Sequence, residues 1–191
     1  MKKKLDELLK KYINEESVNQ LIFVKCKTES FADVKMYIKE NNAWKLILKC
    51  EGYIGKNGLG KEKEGDLKTP IGEFGIITAF GIKENPGTTM PYIKIKDTLY
   101  CCSDKAYYNQ IINVEEKRHK CKGEHLIDYV PEYNYAMFID YNSEKIYGKG
   151  SAIFLHCKGE KNWTAGCIAI NEEDIKYILK NSSVGMKICI Y

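Results

Sequence analysis

The chain has 191 residues, 44% of them hydrophobic, and a net charge of +4 from 30 basic and 26 acidic side chains. That length suits one ordinary domain, or one domain with a small extension, able to fold without disulfide staples. The near-balanced charge, with no basic stripe interleaved with aromatics, argues against a nucleic-acid partner. No run of about 18 apolar residues is present to span a bilayer.

Residues 1–18 read as an amphipathic helix, with Leu5, Leu8, Leu9, Tyr12 and Ile13 on one face. The basic start lacks the apolar core and cleavage site of a secretory leader. Residues 19–191 read as one mainly β domain, a sandwich or barrel with a few flanking helices. Gln20 to Lys27 is an apolar strand. Val34, Met36 and Ile38 alternate in the next one, and Trp44, Leu46, Leu48 and Cys50 in a third, joined by a turn at Asn41-Asn42. Gly52 to Lys68 is expected to be a solvated surface loop, its lysines included. Strand character returns from Ile71 to Ile82, then in a pair, Tyr92 to Ile95 and Thr98 to Cys102. Residues 103–134 lack periodicity and read as an insertion with short helices, one wall of a cleft. Ala136 to Tyr141 and Ser151 to His156 are strands. Asn171 caps a helix over Glu172 to Leu179, and Met186 to Tyr191 closes the fold as a strand.

Chemistry concentrates between Ser151 and Asn171. Ala152, Ile153, Phe154 and Leu155 form a short buried strand with His156 at its mouth. A polar, turn-like stretch from Lys158 to Asn162 lets the chain return as a second strand, Gly166 to Ile170. In such a hairpin His156 faces Cys167. Cysteine attacks as thiolate, so a neighbouring base, or a depressed pKa that favours alkylation at mildly acidic pH, is expected. Gly166 has the freedom to aim backbone N–H groups, its own and that of Cys167, at a developing oxyanion. Thr164 either orients the thiol or caps the turn, and Ala165 lies between them. Trp163, just upstream, either flanks a substrate groove or serves as a packing lid. On spacing alone, the bland alternative is a small core cysteine and a structural histidine.

The sequence TAGCIAI after an upstream histidine resembles the catalytic motif of the L,D-transpeptidases of the YkuD family. The block Glu64-Gly65-Asp66-Leu67-Lys68-Thr69-Pro70-Ile71-Gly72-Glu73-Phe74 resembles that family's other hallmark. Tyr108-Asn109, Glu124-His125-Leu126, Tyr141-Asn142 and Gly148 to Ser151 are similar to a branch whose motif ends GCIA or GCVA. Ala165 and Ala169 stand where many members carry His and Arg or Asn. The resemblance implies a β-sandwich catalytic domain and a cysteine acyltransferase acting on peptidoglycan peptide stems. Cys167 would form a thioacyl-enzyme, releasing a terminal D-amino acid, and pass the acyl group to an amine. With water as acceptor, the same Cys-His site is an L,D-carboxypeptidase. Tyr108, Asn109 and His125 join Trp163 as expected substrate-binding residues, His125 being either structural or cleft-lining. The resemblance implies action at the cell wall, whereas the sequence presents no leader; a cytoplasmic place remains the alternative.

No metal or organic cofactor is expected. His119, Cys121 and His125 form H-x-C-x3-H, which Cys101, Cys102 or Cys157 would complete to a zinc set, but the spacing follows no standard zinc pattern. Gly55, Gly58 and Gly60 lack the G-K-[ST] of a phosphate loop. A sortase-like reading fails because no arginine follows Cys167. A non-catalytic wall-binding domain is the remaining rival. The eight cysteines are expected to be free thiols, with Cys26, Cys50 and Cys189 in the core.

Overall fold

The computed structural model describes the backbone of residues 2–191 and side chains from residue 4 onward. Helix α1 (Lys2–Ile13) lays Leu8 and Tyr12 against Val18, Leu21, Phe23 and Cys189. Trp44 Nε1 donates to Leu9 O at 2.9 Å, and Tyr12 and Lys11 both reach Glu73 at 2.7 Å. The apolar stripe of the helix is therefore its docking face, as its periodicity predicts.

Strands β1 (Gln20–Thr28), β2 (Phe31–Glu40) and β3 (Ala43–Tyr53) form an antiparallel meander. A bulge near Met36/Tyr37 inserts one extra residue on β3, reversing which of its residues point inward. Leu46, expected inside by simple alternation, is for that reason exposed, while Leu48 and Cys50 pack against the core. β4 (Gly72–Gly81) follows the loop at 54–71, and β5 (Tyr92–Lys94) runs parallel to its second half. The expected pairing of the fifth strand with β6 (Leu99–Cys102) does not form. β6 instead centres a small sheet between β7 (Gln110–Asn113) and β8 (Glu124–His125). Short helix α2 (Val114–Lys117) joins β7 to β8, and with two 3₁₀ turns these fill residues 103–134.

β9 (Ala136–Ile139), β10 (Phe154–Cys157) and β11 (Ile168–Ile170) complete the main sheet with helix α3 (Glu172–Lys180) and β12 (Lys187–Ile190). The strand order is β12-β1-β2-β3-β11-β10-β9-β4, and β4 pairs back to β12. The sheet thus closes on itself, which removes most of its edges. Asn171 sits at the N-cap position of α3, but its amide bonds the Asp174 carboxylate rather than the backbone.

Period-two alternation sorts the strands onto two cores. Met137, Ile139, Leu155, Cys157, Ile168 and Ile170 enter the barrel interior. Their neighbours Ala136, Phe138 and Phe154 point outward, into a second core with Phe80, Tyr133 and Leu126 beneath the small sheet. β10 is buried on both faces, which is why it reads as a continuous apolar run.

Two expectations are corrected here. β10 and β11 are not a hairpin: they pair in parallel, Leu155 with Ile168 and His156 with Ala169. The ten-residue connection between them crosses over to start the second strand at the same end as the first. The cysteines are not all free, because Cys102 and Cys121 form a disulfide once β8 is brought beside β6. Among the described residues no helix is long and apolar enough to cross a membrane.

Candidate active site

The parallel register decides the site. Extending it by one residue sets Cys167 opposite Phe154, and the Phe154 N–H donates to Cys167 Sγ at 3.3 Å. Phe154 and His156 lie two apart on one strand, so they share its outer face. Cys167 and His156 are therefore diagonal neighbours on the same face, reached without any hairpin.

Two depressions meet at the thiol. One, with about 670 Å³ of space partly open to solvent, is bounded by His156, Trp163, Thr164, Glu132 and Tyr133. The other, about 740 Å³, is bounded by Lys61, Glu64, Ser103, Lys122 and Ser151. Cys167, Glu124, Tyr129 and Ala165 line both, so the thiol sits on the floor of one groove with an arm on either side.

His156 is 7% exposed, and Tyr133 packs against its ring edge to face at 5.7 Å. Its Nδ1 lies 2.7 Å from the Cys157 carbonyl oxygen. A carbonyl only accepts, so Nδ1 carries the proton and Nε2 keeps a lone pair. Burial lowers the imidazole pKa, keeping the ring neutral as a base must be.

The Cys167 thiol donates to the Ala152 carbonyl at 3.1 Å. Burial pushes its pKa up to about 12, the Glu124 carboxylate adding to the rise, while the Phe154 N–H and Lys61 pull the other way. The expected depressed pKa is thus reversed: desolvation outweighs the positive field, and the resting site is neutral thiol with neutral imidazole. Iodoacetamide at pH 6 is accordingly expected to show no preference for Cys167 over other accessible thiols, with labelling of Cys167 rising only in alkali. Peptide mapping by mass spectrometry reads this directly.

The turn carrying Cys167 is tied by two threonine hydroxyls. Thr164 Oγ1 donates to the Cys167 carbonyl at 2.7 Å and accepts the Gly166 N–H at 3.2 Å. Thr69 Oγ1 adds a 3.3 Å bond to the same carbonyl while accepting the Gly55 N–H at 2.8 Å. Gly166 has φ +151°, and a Cβ there would meet the Lys68 carbonyl oxygen at 2.9 Å and Ile153 at 3.2 Å. Glycine is needed both for the conformation and for the close approach. The engaged Gly166 N–H is not free for an oxyanion.

The other expected site residues divide. Trp163 lines the His156 arm, with the Lys56 and Lys161 ammonium groups at 5.1 and 4.9 Å from its ring. Ala165 lies on the groove rim. Tyr108 and Asn109 are buried behind the groove and are not on its surface. The Tyr108 hydroxyl donates to Glu64 and accepts the Gly150 N–H, and Asn109 Oδ1 accepts the Ala152 N–H at 3.0 Å. Ala152 has φ +53°, a conformation that disfavours a Cβ, so Asn109 holds the strained residue whose carbonyl meets the thiol. His125 points away, stacked on Tyr100 and bonded to Asp128 and the Asp97 carbonyl.

Its neighbour Glu124 takes the groove instead, because successive strand residues face opposite sides. A two-residue strand offers no periodicity from which to read this. Tyr133 donates to Glu124 at 2.5 Å, and burial next to Glu64 raises the carboxyl pKa to about 7. A raised acid pKa contributes stability below the ordinary carboxyl range that is lost as pH rises through about 7. Glu124→Gln is therefore expected to match the parent near pH 5 and exceed it by roughly 2–3 kcal/mol at pH 8, measured by urea unfolding.

A mainly β barrel with a thiol and an imidazole on one outward face, in an open groove, is the class of protein these features define. The chain belongs to the YkuD family: the model of the L,D-transpeptidase catalytic domain matches residues 34–190. Among solved structures, Bd1075 from Bdellovibrio bacteriovorus aligns with TM-score 0.51 and 16% identity, over 91% of this chain and 48% of that one. The helical cell shape determining protein Pgp2 from Campylobacter jejuni aligns at 0.47 and 17%, over 97% and 54%. An L,D-transpeptidase from Enterococcus faecium aligns at 0.43 and 12%, over 91% and 50%. The chain spans about half the length of these structures. No curated protein sequence matches it.

Proposed function

We propose that the chain is a cysteine acyltransferase of the L,D-transpeptidase type acting on peptidoglycan peptide stems, with Cys167 as nucleophile and His156 as base. The observation that carries this reading is the groove with two arms meeting at Cys167. Transfer between two peptides needs room for a donor on one side of the sulfur and an acceptor on the other, and the two arms offer it.

As substrate enters, the thiol leaves the Ala152 carbonyl and His156 Nε2 takes its proton. Sγ attacks the carbonyl carbon that precedes the terminal D-residue, and the Cys167 N–H donates to the oxyanion. The C–N bond breaks, the imidazolium protonates the leaving amine, and a thioester remains. An amine of a second stem then attacks the thioester, its proton passing to His156 and on to the departing sulfur. Both partners start neutral, so proton transfer accompanies attack and no standing thiolate is required. Such a substrate would place the protein at the cell wall.

The test is incubation with stems labelled at the terminal D-residue, read by mass spectrometry, alongside an acylating carbapenem. Release of the label with a cross-linked dimer, and a lactam adduct on Cys167, are the expected results. Tripeptide without dimer would reassign the site to an L,D-carboxypeptidase. Neither release nor adduct would overturn the reading.

A further inference from the structure

Outside the groove, four electron-rich side chains converge at the outer end of the small sheet. Cys102 ends β6, Asp104 follows in the next loop, His119 lies just beyond α2, and Cys121 leads into β8. The Cys102 and Cys121 sulfurs are bonded, with Cα atoms 5.5 Å apart. Asp104 Oδ2 is 3.3 Å from Cys102 Sγ and 2.9 Å from His119 Nε2. The ligand atoms of Cys102, Asp104 and His119 all lie within 4.8 Å of one another.

In the disulfide state Asp104 pairs with His119 and its Oδ1 accepts the Ala106 N–H at 3.2 Å, which holds Oδ2 and the imidazole beside Cys102 Sγ. One sulfur, an imidazole nitrogen and a carboxylate oxygen lie together, and the second sulfur is bonded to the first; the four residues are a donor set for a borderline-soft cation. The Gly123 N–H donates to Cys121 Sγ at 3.3 Å, the contact that steadies a metal-bound thiolate. Gly123 is needed there, since a Cβ would fall 1.8 Å from the Cys101 carbonyl oxygen. Of the H-x-C-x3-H residues, His125 turns away to Asp128, and Asp104 stands beside His119 in its place. His119 and Asp104 keep side-chain exposures of 25% and 18%, which leaves an ion a path in.

We propose that Cys102, Asp104, His119 and Cys121 bind Zn²⁺ tetrahedrally in the dithiol state, the disulfide being the oxidised, metal-free state of the same site. A dithiol reductant gives two electrons and two protons to the disulfide and is itself oxidised to a disulfide. Zinc then displaces the two thiol protons to solvent and takes both sulfurs as thiolates. The sulfurs separate by about 1.7 Å in passing from S–S bond to tetrahedral zinc, within reach of side-chain rotation. The site clamps β6 to β8, the strand that presents Glu124 to the groove, and its ligands are distinct from Cys167 and His156.

The test uses the full chain, reduced with a dithiol and dialysed against Zn²⁺ without chelator, then assayed for metal by mass spectrometry. About one zinc per chain is expected, falling at least tenfold after oxidation to the disulfide and in a Cys102→Ser/Cys121→Ser double variant. Retention of that zinc in Cys167→Ser is expected. Should the double variant fail to fold, Co²⁺ added to the reduced parent gives a thiolate-to-cobalt charge-transfer band that is absent when Co²⁺ is added to the disulfide form. Reduced parent that binds no zinc, or a double variant that keeps it, overturns the proposal.

Discussion

Replacing His156 with alanine is expected to lower kcat/KM for stem peptides by about 10³–10⁴-fold, and Cys167→Ala by at least as much. The reason lies in the resting protonation states. The thiol is held up at about 12 by burial and bonded to Ala152, so at neutral pH almost no thiolate exists without a base. An enzyme with a preformed thiolate would lose less when its base is removed; in the proposed scheme the imidazole takes the proton during attack. Cys167→Ala also separates catalysis from folding, because Cys167 belongs to the outer core edge and not to the barrel interior. Single-turnover release of the labelled D-residue is the measurement. The pH profile carries a sign of its own. Burial lowers the His156 pKa, so the free base persists below the usual imidazole range and the acid limb of kcat/KM falls below about 6.5. An acid limb above that value, or a His156→Ala variant within tenfold of the parent, would remove the base from the scheme.

What could be read from the sequence follows what local pattern encodes. The face of α1 and the inward residues of β2 were legible because helical and strand periods are written residue by residue: Val34 and Met36 are buried as alternation predicts. Leu46 escaped because a bulge is one residue without a marker of its own. The juxtaposition of Cys167 and His156 followed from a wrong intermediate, the hairpin. A polar connection says that the chain turns, not whether it returns antiparallel or crosses over to pair in parallel, and both arrangements bring the two residues to one face. Glu124 and the Cys102–Cys121 contact depend on how residues 103–134 fold back on β6, a long-range pairing with no local signal. Lys61 was misjudged for the same reason. A lysine in a Gly- and Lys-rich loop reads as solvated, yet its side chain is 2% exposed once Asp66 folds under it.

That buried pair is the basis for the largest expected effect on stability. Asp66 belongs to the Gly65-Asp66-Leu67-Lys68-Thr69-Pro70 block, and its carboxylate does the work of a backbone clamp. Oδ1 accepts from Lys61 Nζ at 2.9 Å and the Lys68 N–H at 3.0 Å; Oδ2 accepts the N–H groups of Glu62 and Lys63 at 2.8 and 3.1 Å. Burial pushes this carboxyl up, but Lys61 and the three backbone donors outweigh it and hold the pKa well below the usual range. Asp66→Ala leaves an ammonium buried without its counter-charge and three N–H groups without an acceptor. The expected loss is about 3–5 kcal/mol, the range for breaking one partner of a buried pair, or a Tm lower by roughly 6–20 °C for a domain of this size. Replacing both partners, Asp66→Asn with Lys61→Met, should recover part of it, since no orphaned charge remains. A depressed acid pKa contributes stability present above the ordinary carboxyl range and lost as pH falls toward the folded value. The gap between parent and Asp66→Ala is therefore expected to be full at pH 7 and to shrink below about pH 4. The same loop reaches the turn that carries Cys167, where a Cβ on Gly166 would lie 3.4 Å from Lys61 Nζ and 2.9 Å from the Lys68 carbonyl oxygen. Loosening it should lower kcat as well as Tm. A variant as stable as the parent, by calorimetry at pH 7, would mean that water and not the carboxylate satisfies Lys61.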